Sequence, residues 1–177
     1  MSILLQNALA IHSSPALCGI KASNLINMKY YDSLEKEIEE LSNKYPRIGF
    51  YVLKRNINNV LVLVYRKKIL ENNLFKNDNK LFLEKLGYDI TNINSMLNSL
   101  KIRMNYDDFP HEIGVFLGYD LEDIKSYIEG DKCLYTGYWK VYSNVEEKIE
   151  LFNKYTRCKN LVLRMLNKGF PIEIFMR

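Results

Sequence analysis

The chain predicts a single α+β domain: a small, mostly antiparallel sheet packed with several helices. Three observations point there. Two β-rich runs, RIGFYVLKR and NVLVLVYRK, flank an asparagine-rich turn, the pattern of an antiparallel hairpin over about 48–66. Other segments carry apolar residues at helical spacing, the clearest being the stripe Leu34, Ile38, Leu41 and Tyr45. Strand and helix signals do not alternate as they do in a parallel βαβ sheet.

In chain order, residues 2–11 predict a short helix that stops before the turn HSSP. The helix carrying the Leu34 stripe starts at a capping box, Asp32 with Glu35. In the hairpin, the second run is apolar at nearly every position, so it belongs at the sheet centre, covered on both faces. Short helices follow over 67–75 and 78–86, the latter ended by Gly87. Another spans 91–105, with Ile93, Met96, Leu97 and Leu100 on one face.

The stretch FPHEIGVFLGYDLEDIKSYI reads as two helices joined at Gly118. Pro110 lies in the first turn of one and Asp120 caps the other. CLYTGYWKVYS, at about 134–142, reads as a further strand. Ser143 and Glu146 cap a long C-terminal helix over about 145–166, and the tail FPIEIFMR suggests an edge strand.

Bulk properties narrow the class. At 177 residues the chain is long enough to bury roughly 70% of the surface its unfolded form exposes. Its 47% apolar and 26% charged content is that of a folded globular chain. No apolar run approaches the ~20 residues of a membrane span. The N-terminal stretch has no basic residue before Lys21, unlike a secretory leader. Cys18, Cys133 and Cys158 form no CxxC pair, which suits reduced thiols. The expectation is a cytoplasmic protein without membrane partners. The net charge of +4 resides entirely in residues 140–177, which hold 8 Lys+Arg against 4 Asp+Glu.

Candidate sites are few. FPHEIGVFLGYDLEDIKSYI has the spacing of a helix-turn-helix, but its second helix would bring Asp120, Glu122 and Asp123 to DNA phosphates, and that charge decides against it. His111–Glu112 begins like HExxH, but Val115 stands where the second histidine is needed, so no metal site is expected. His111, in a first helical turn, would be held neutral and suited to proton transfer or hydrogen bonding. The same position also suits a plain helix cap. HSSPALCGIKASN offers His12, Ser13, Cys18 and Lys21 but matches neither a nucleophile elbow nor a P-loop; a turn before a helix start explains the same residues. On a strand, Tyr138, Lys140 and Tyr142 would share one face, with Trp139 on the other. Arg66, with Tyr65, would complete a pocket from the central strand.

Three blocks in order, HSSPALCGIKASNL, FPHEIGVFLGYDLEDIKSYI and GYWKVYSNVEEKIELFNKYTRC, resemble the DUF3793 family of clostridial-type Firmicutes over about residues 10–166. The resemblance implies a cytoplasmic protein and names no activity. Where that family often has a cysteine after the first histidine and a proline after the second glycine–tyrosine, this chain has Ser13 and Asp120. The first departure weakens a thiol nucleophile built on the family pattern, and the second leaves the helix start intact.

The blocks coincide with the candidate sites. The expectation is therefore one pocket for a small, anionic ligand. Lys21, Arg66, Trp139 and Lys140 would bind it, while His12, His111 and Glu112 would be available for acid–base chemistry. No cofactor is named by any motif. The alternatives are nucleic-acid binding or regulation through the basic C-terminal helix (Lys154, Arg157, Lys159, Arg164, Lys168), and a protein-interaction module.

Overall fold

The computed structural model describes residues 1–106 and 108–177. At its centre lies strand β3 (Asn59–Arg66), paired antiparallel with β1 (Ser23–Lys29) on one edge and β2 (Ile48–Arg55) on the other. Ser23 stands opposite Tyr65 in one ladder and Ile48 opposite Arg66 in the other. The hairpin forms where the sequence predicts it, and Asn56 holds its turn: Oδ1 accepts from the N–H groups of Asn58 and Asn59.

The unbroken apolar character of β3 has a direct structural reason. Val60, Val62 and Val64 face one layer, built by α1 (Ile3–His12), α2 (Ser14–Leu17), α3 (Leu34–Lys44) and the long α9 (Val145–Asn167). Leu61, Leu63 and Tyr65 face another, built by α4 (Lys67–Leu74), α5 (Asn77–Lys85), α6 (Ile93–Arg103), α7 (Ile113–Phe116) and α8 (Leu121–Glu129). Successive strand residues point to opposite faces, so a strand buried between two layers must be apolar throughout.

Several local expectations change. β1 falls where the sequence reads as a turn and helix start, because Ser23, Asn24 and Asn27 disguise a strand whose Ile26 and Met28 alternate into the core. The α3 capping box does not form. Ser33 is the cap residue, and its hydroxyl donates to Glu37, whose other carboxylate oxygen accepts from the Ser2 N–H at 2.6 Å. Segment 134–142 does not join the main sheet. It folds into its own hairpin, β4 (Tyr135–Thr136) with β5 (Lys140–Val141), because Gly137 turns the chain beneath Phe152. The cap residue of α9 is Asn144, in a left-handed conformation, rather than Ser143. The tail forms a 3₁₀ turn (Ile172–Phe175) in place of an edge strand. Arg66 binds its backbone instead, donating to the carbonyls of Phe175 and Arg177.

Candidate functional site

Three distant segments meet at one corner of the molecule, each held by an identifiable bond. Ser23, at the start of β1, donates its hydroxyl to the Phe116 carbonyl at 2.7 Å, docking the N-terminal segment onto the turn between α7 and α8. Gly118 makes that turn at φ +73, packed against Ala22. Asp123 of α8, only 2% exposed, accepts from the Trp139 indole N–H and from the Tyr142 backbone N–H, both at 2.8 Å. That carboxylate fastens the β4–β5 hairpin to α8. A second tie runs from Lys148 of α9 to Asp120.

Between these segments lies a cavity of about 290 Å³. Leu25, Ile113, Leu117 and Ile124 supply aliphatic walls, while Tyr119, Tyr127 and Trp139 supply aromatic ones. Tyr119 stacks on Trp139 with ring centroids 4.4 Å apart, and Phe152 meets the other side of the indole edge-on. Gly114 also faces the cavity; a Cβ there would lie 2.8 Å from Ile124 Cγ1, so the residue keeps α7 and α8 close.

Two nitrogen-bearing side chains flank Tyr127 at this cavity. The His111 ring meets Tyr127 edge-on at 4.9 Å, and Lys140 Nζ stands 5.2 Å from the Tyr127 ring centroid. Both are exposed, and neither has a carboxylate partner among the described residues. Asp123 also borders the cavity, but both its oxygens are already hydrogen-bonded.

The structure thus brings His111, Trp139 and Lys140 together, and leaves four other sequence-selected residues outside the cavity. Lys21 comes nearest. It is 4% exposed, donates to the Ser23 carbonyl at 2.7 Å, and lies behind Tyr119 with Nζ 5.2 Å from that ring. Burial pushes its amine down to about 7. Glu112 turns inward at 4% exposure, where one oxygen accepts from Tyr88 and from Arg103, a partly buried cross-link to α6. His12 ends α1 beside Lys159; burial, then that lysine's charge, lower its pKa. Arg66 spends its donors on the carbonyls of Ala16, Leu17, Phe175 and Arg177.

α7 is a single turn, so the helix-terminus field invoked for His111 lacks the length to act. Asp123, assigned to the outer face of a helix-turn-helix, points into the protein. Among the described residues no group of three or more His, Cys, Asp or Glu could hold a metal ion. No described helix is long and apolar enough to cross a membrane.

Sequence reasoning missed Asp123, Tyr119 and Tyr127. For Asp123 one signal existed: a buried indole N–H needs an acceptor, and Trp139 had to find one. The tyrosines carry no such signal in a chain with 13 of them.

The family described as "Protein of unknown function (DUF3793)" matches residues 9–176, nearly the whole chain, and the protein belongs to it. No curated protein and no solved structure matches.

Proposed function

We propose that this DUF3793 member binds a small planar anion in the corner cavity, an aromatic carboxylate being the chemistry that fits best. The observation that carries the reading is the pairing of His111 and Lys140 around Tyr127 beside a mainly apolar, aromatic-walled space in which the one carboxylate among the described residues, Asp123, is already hydrogen-bonded. A flat ring suits the walls, and a carboxylate suits the lysine. The volume of about 290 Å³ lies at the low end of the roughly 300–1,000 Å³ of small-molecule pockets, which limits the ligand to about one ring and its substituents. Proton transfer at this site falls to His111, because the Glu112 carboxylate is bound to Arg103 and Tyr88.

Trp139, the chain's single tryptophan, lines the cavity and reports on it directly. Titrating benzoate against the intact protein, with benzamide as its neutral counterpart, should give a saturable change in Trp139 fluorescence for the acid alone. Lys140→Ala should weaken binding about 10-fold, the scale of one charge-assisted hydrogen bond. Equal responses to the two compounds, or an unaltered affinity in the variant, would remove the anion from the proposal.

A second reading draws on Lys154, Arg157, Arg164 and Lys168, all exposed along or just beyond α9. That reading requires nucleic-acid binding that falls steeply with salt. Binding absent at low salt ends it.

A further inference from the structure

On the opposite side of the sheet from the cavity-lining helices, two cysteines far apart in sequence come together. Cys18 closes the α2 turn, and Cys158 sits within α9. The Ser14 carbonyl oxygen accepts from both residues: from the Cys18 backbone N–H at 2.9 Å and from Cys158 Sγ at 3.5 Å. That shared acceptor sets the Cys158 thiol against the turn that Cys18 closes. Both are partly accessible. Arg66 adds a cation: its guanidinium binds the Ala16 and Leu17 carbonyls, immediately before Cys18.

The pair is asymmetric. The neighbouring Cys158 thiol, helped by the Arg66 charge and opposed by burial, holds the Cys18 thiol below its ordinary value. Cys18 in turn, together with burial, pushes the Cys158 thiol up. A stabilised thiolate beside a protonated thiol is the arrangement that favours attack by one sulfur and resolution by the other.

We propose that Cys18 and Cys158 form a reversible dithiol–disulfide couple that exchanges electrons with low-molecular-weight disulfides. Cys18 thiolate attacks one sulfur of such a disulfide, RSSR, forming a mixed disulfide and expelling RS⁻, which takes a proton. Cys158 then loses its proton to solvent and attacks Cys18 Sγ, expelling the second RS⁻, which is protonated in turn. The two thiols are oxidised, RSSR is reduced to two RSH, and the new bond joins α2 to α9. In a reducing compartment such a pair is transient and responsive rather than permanent.

Oxidised glutathione added to the intact protein tests this, with the product digested without reduction and its peptides identified by mass. Cys133, on the loop before β4, is the internal control for simple thiol modification. The expected product has lost two hydrogens, yields one peptide linking Cys18 to Cys158, and returns to the dithiol with dithiothreitol. Closing so long a loop should raise Tm by about 5–10 °C. Cys158→Ser should stop at glutathione on Cys18, whereas Cys18→Ser should leave Cys158 unmodified. Glutathione on Cys133 with no Cys18–Cys158 link in the unaltered protein overturns the proposal, and that comparison does not depend on either variant folding.

Discussion

The layers around β3 and the corner holding the cavity are built on different terms. Around β3 the contacts are many and interchangeable: valines on one face, leucines and a tyrosine on the other, each meeting several helices. At the corner, a few polar bonds fix the placement. Asp123 holds the β4–β5 hairpin, Lys148 meets Asp120, and Ser23 reaches Phe116. The small aromatic cluster of Trp139, Phe152 and Tyr155 completes it. Redundant apolar packing leaves little open volume. Sparse, directional bonds can hold elements apart around a cavity, so open space for a ligand belongs at the corner.

Truncation at the centre should have the largest effect. Leu63→Ala removes a fully buried side chain from the middle of the sheet and should cost about 2–5 kcal/mol in denaturant unfolding, without selective release of the hairpin. A loss under about 1 kcal/mol would mean that the layers repack as freely as a surface.

Next is the pH dependence of Lys21, the buried amine behind the corner. Above its ordinary value of 10.5 the amine is neutral in both folded and unfolded chains, and its charge adds no cost to folding. As pH falls from there to about 7, the unfolded chain holds a proton that the folded one lacks, so stability falls. Below about 7 both states are charged and the cost levels off. The full swing is on the order of 5 kcal/mol. Lys21→Met should therefore be more stable than the parent at pH 7 and lose most of that advantage by pH 10. An advantage unchanged with pH would place the amine's charge in water.

Asp123→Ala should have a smaller effect on global stability and a larger local one. It strands the Trp139 indole N–H and the Tyr142 N–H, costing about 2–3 kcal/mol. Hydrogen exchange should accelerate over 134–142 while β3 stays protected, and Trp139 emission should shift red. Uniform exchange across both regions would erase the distinction between them.

How much of this was legible depends on how each contact is encoded. The α3 stripe, the Asn56 turn, the apolar β3 and the long α9 each rest on local periodicity or turn chemistry, and each stands in the structure. β1 was hidden because Ser23, buried in a docking bond, and the half-buried Asn24 break at its start the alternation that Ile26 and Met28 keep. Glu112 and Arg66 looked like chemistry in the sequence and serve as internal ties, because a charged side chain states its charge locally and its partner only in space. Trp139, Lys140 and His111 were singled out by residue type; that they share a cavity depends on Asp123, whose place at the flank of the α8 apolar stripe gave no hint of its role.

Local patterning sets the α+β class, the hairpin, most of the helices and the double covering of the central strand, since backbone propensity and apolar period act between near neighbours. Which polar groups come together is fixed by packing in three dimensions: Asp123 with Trp139, Glu112 with Arg103, Cys18 with Cys158. Those pairings span 9 to 140 positions of chain, and no periodicity reaches across such distances. They follow instead from the apolar layers, which bring the segments close enough for directional bonds to select their partners.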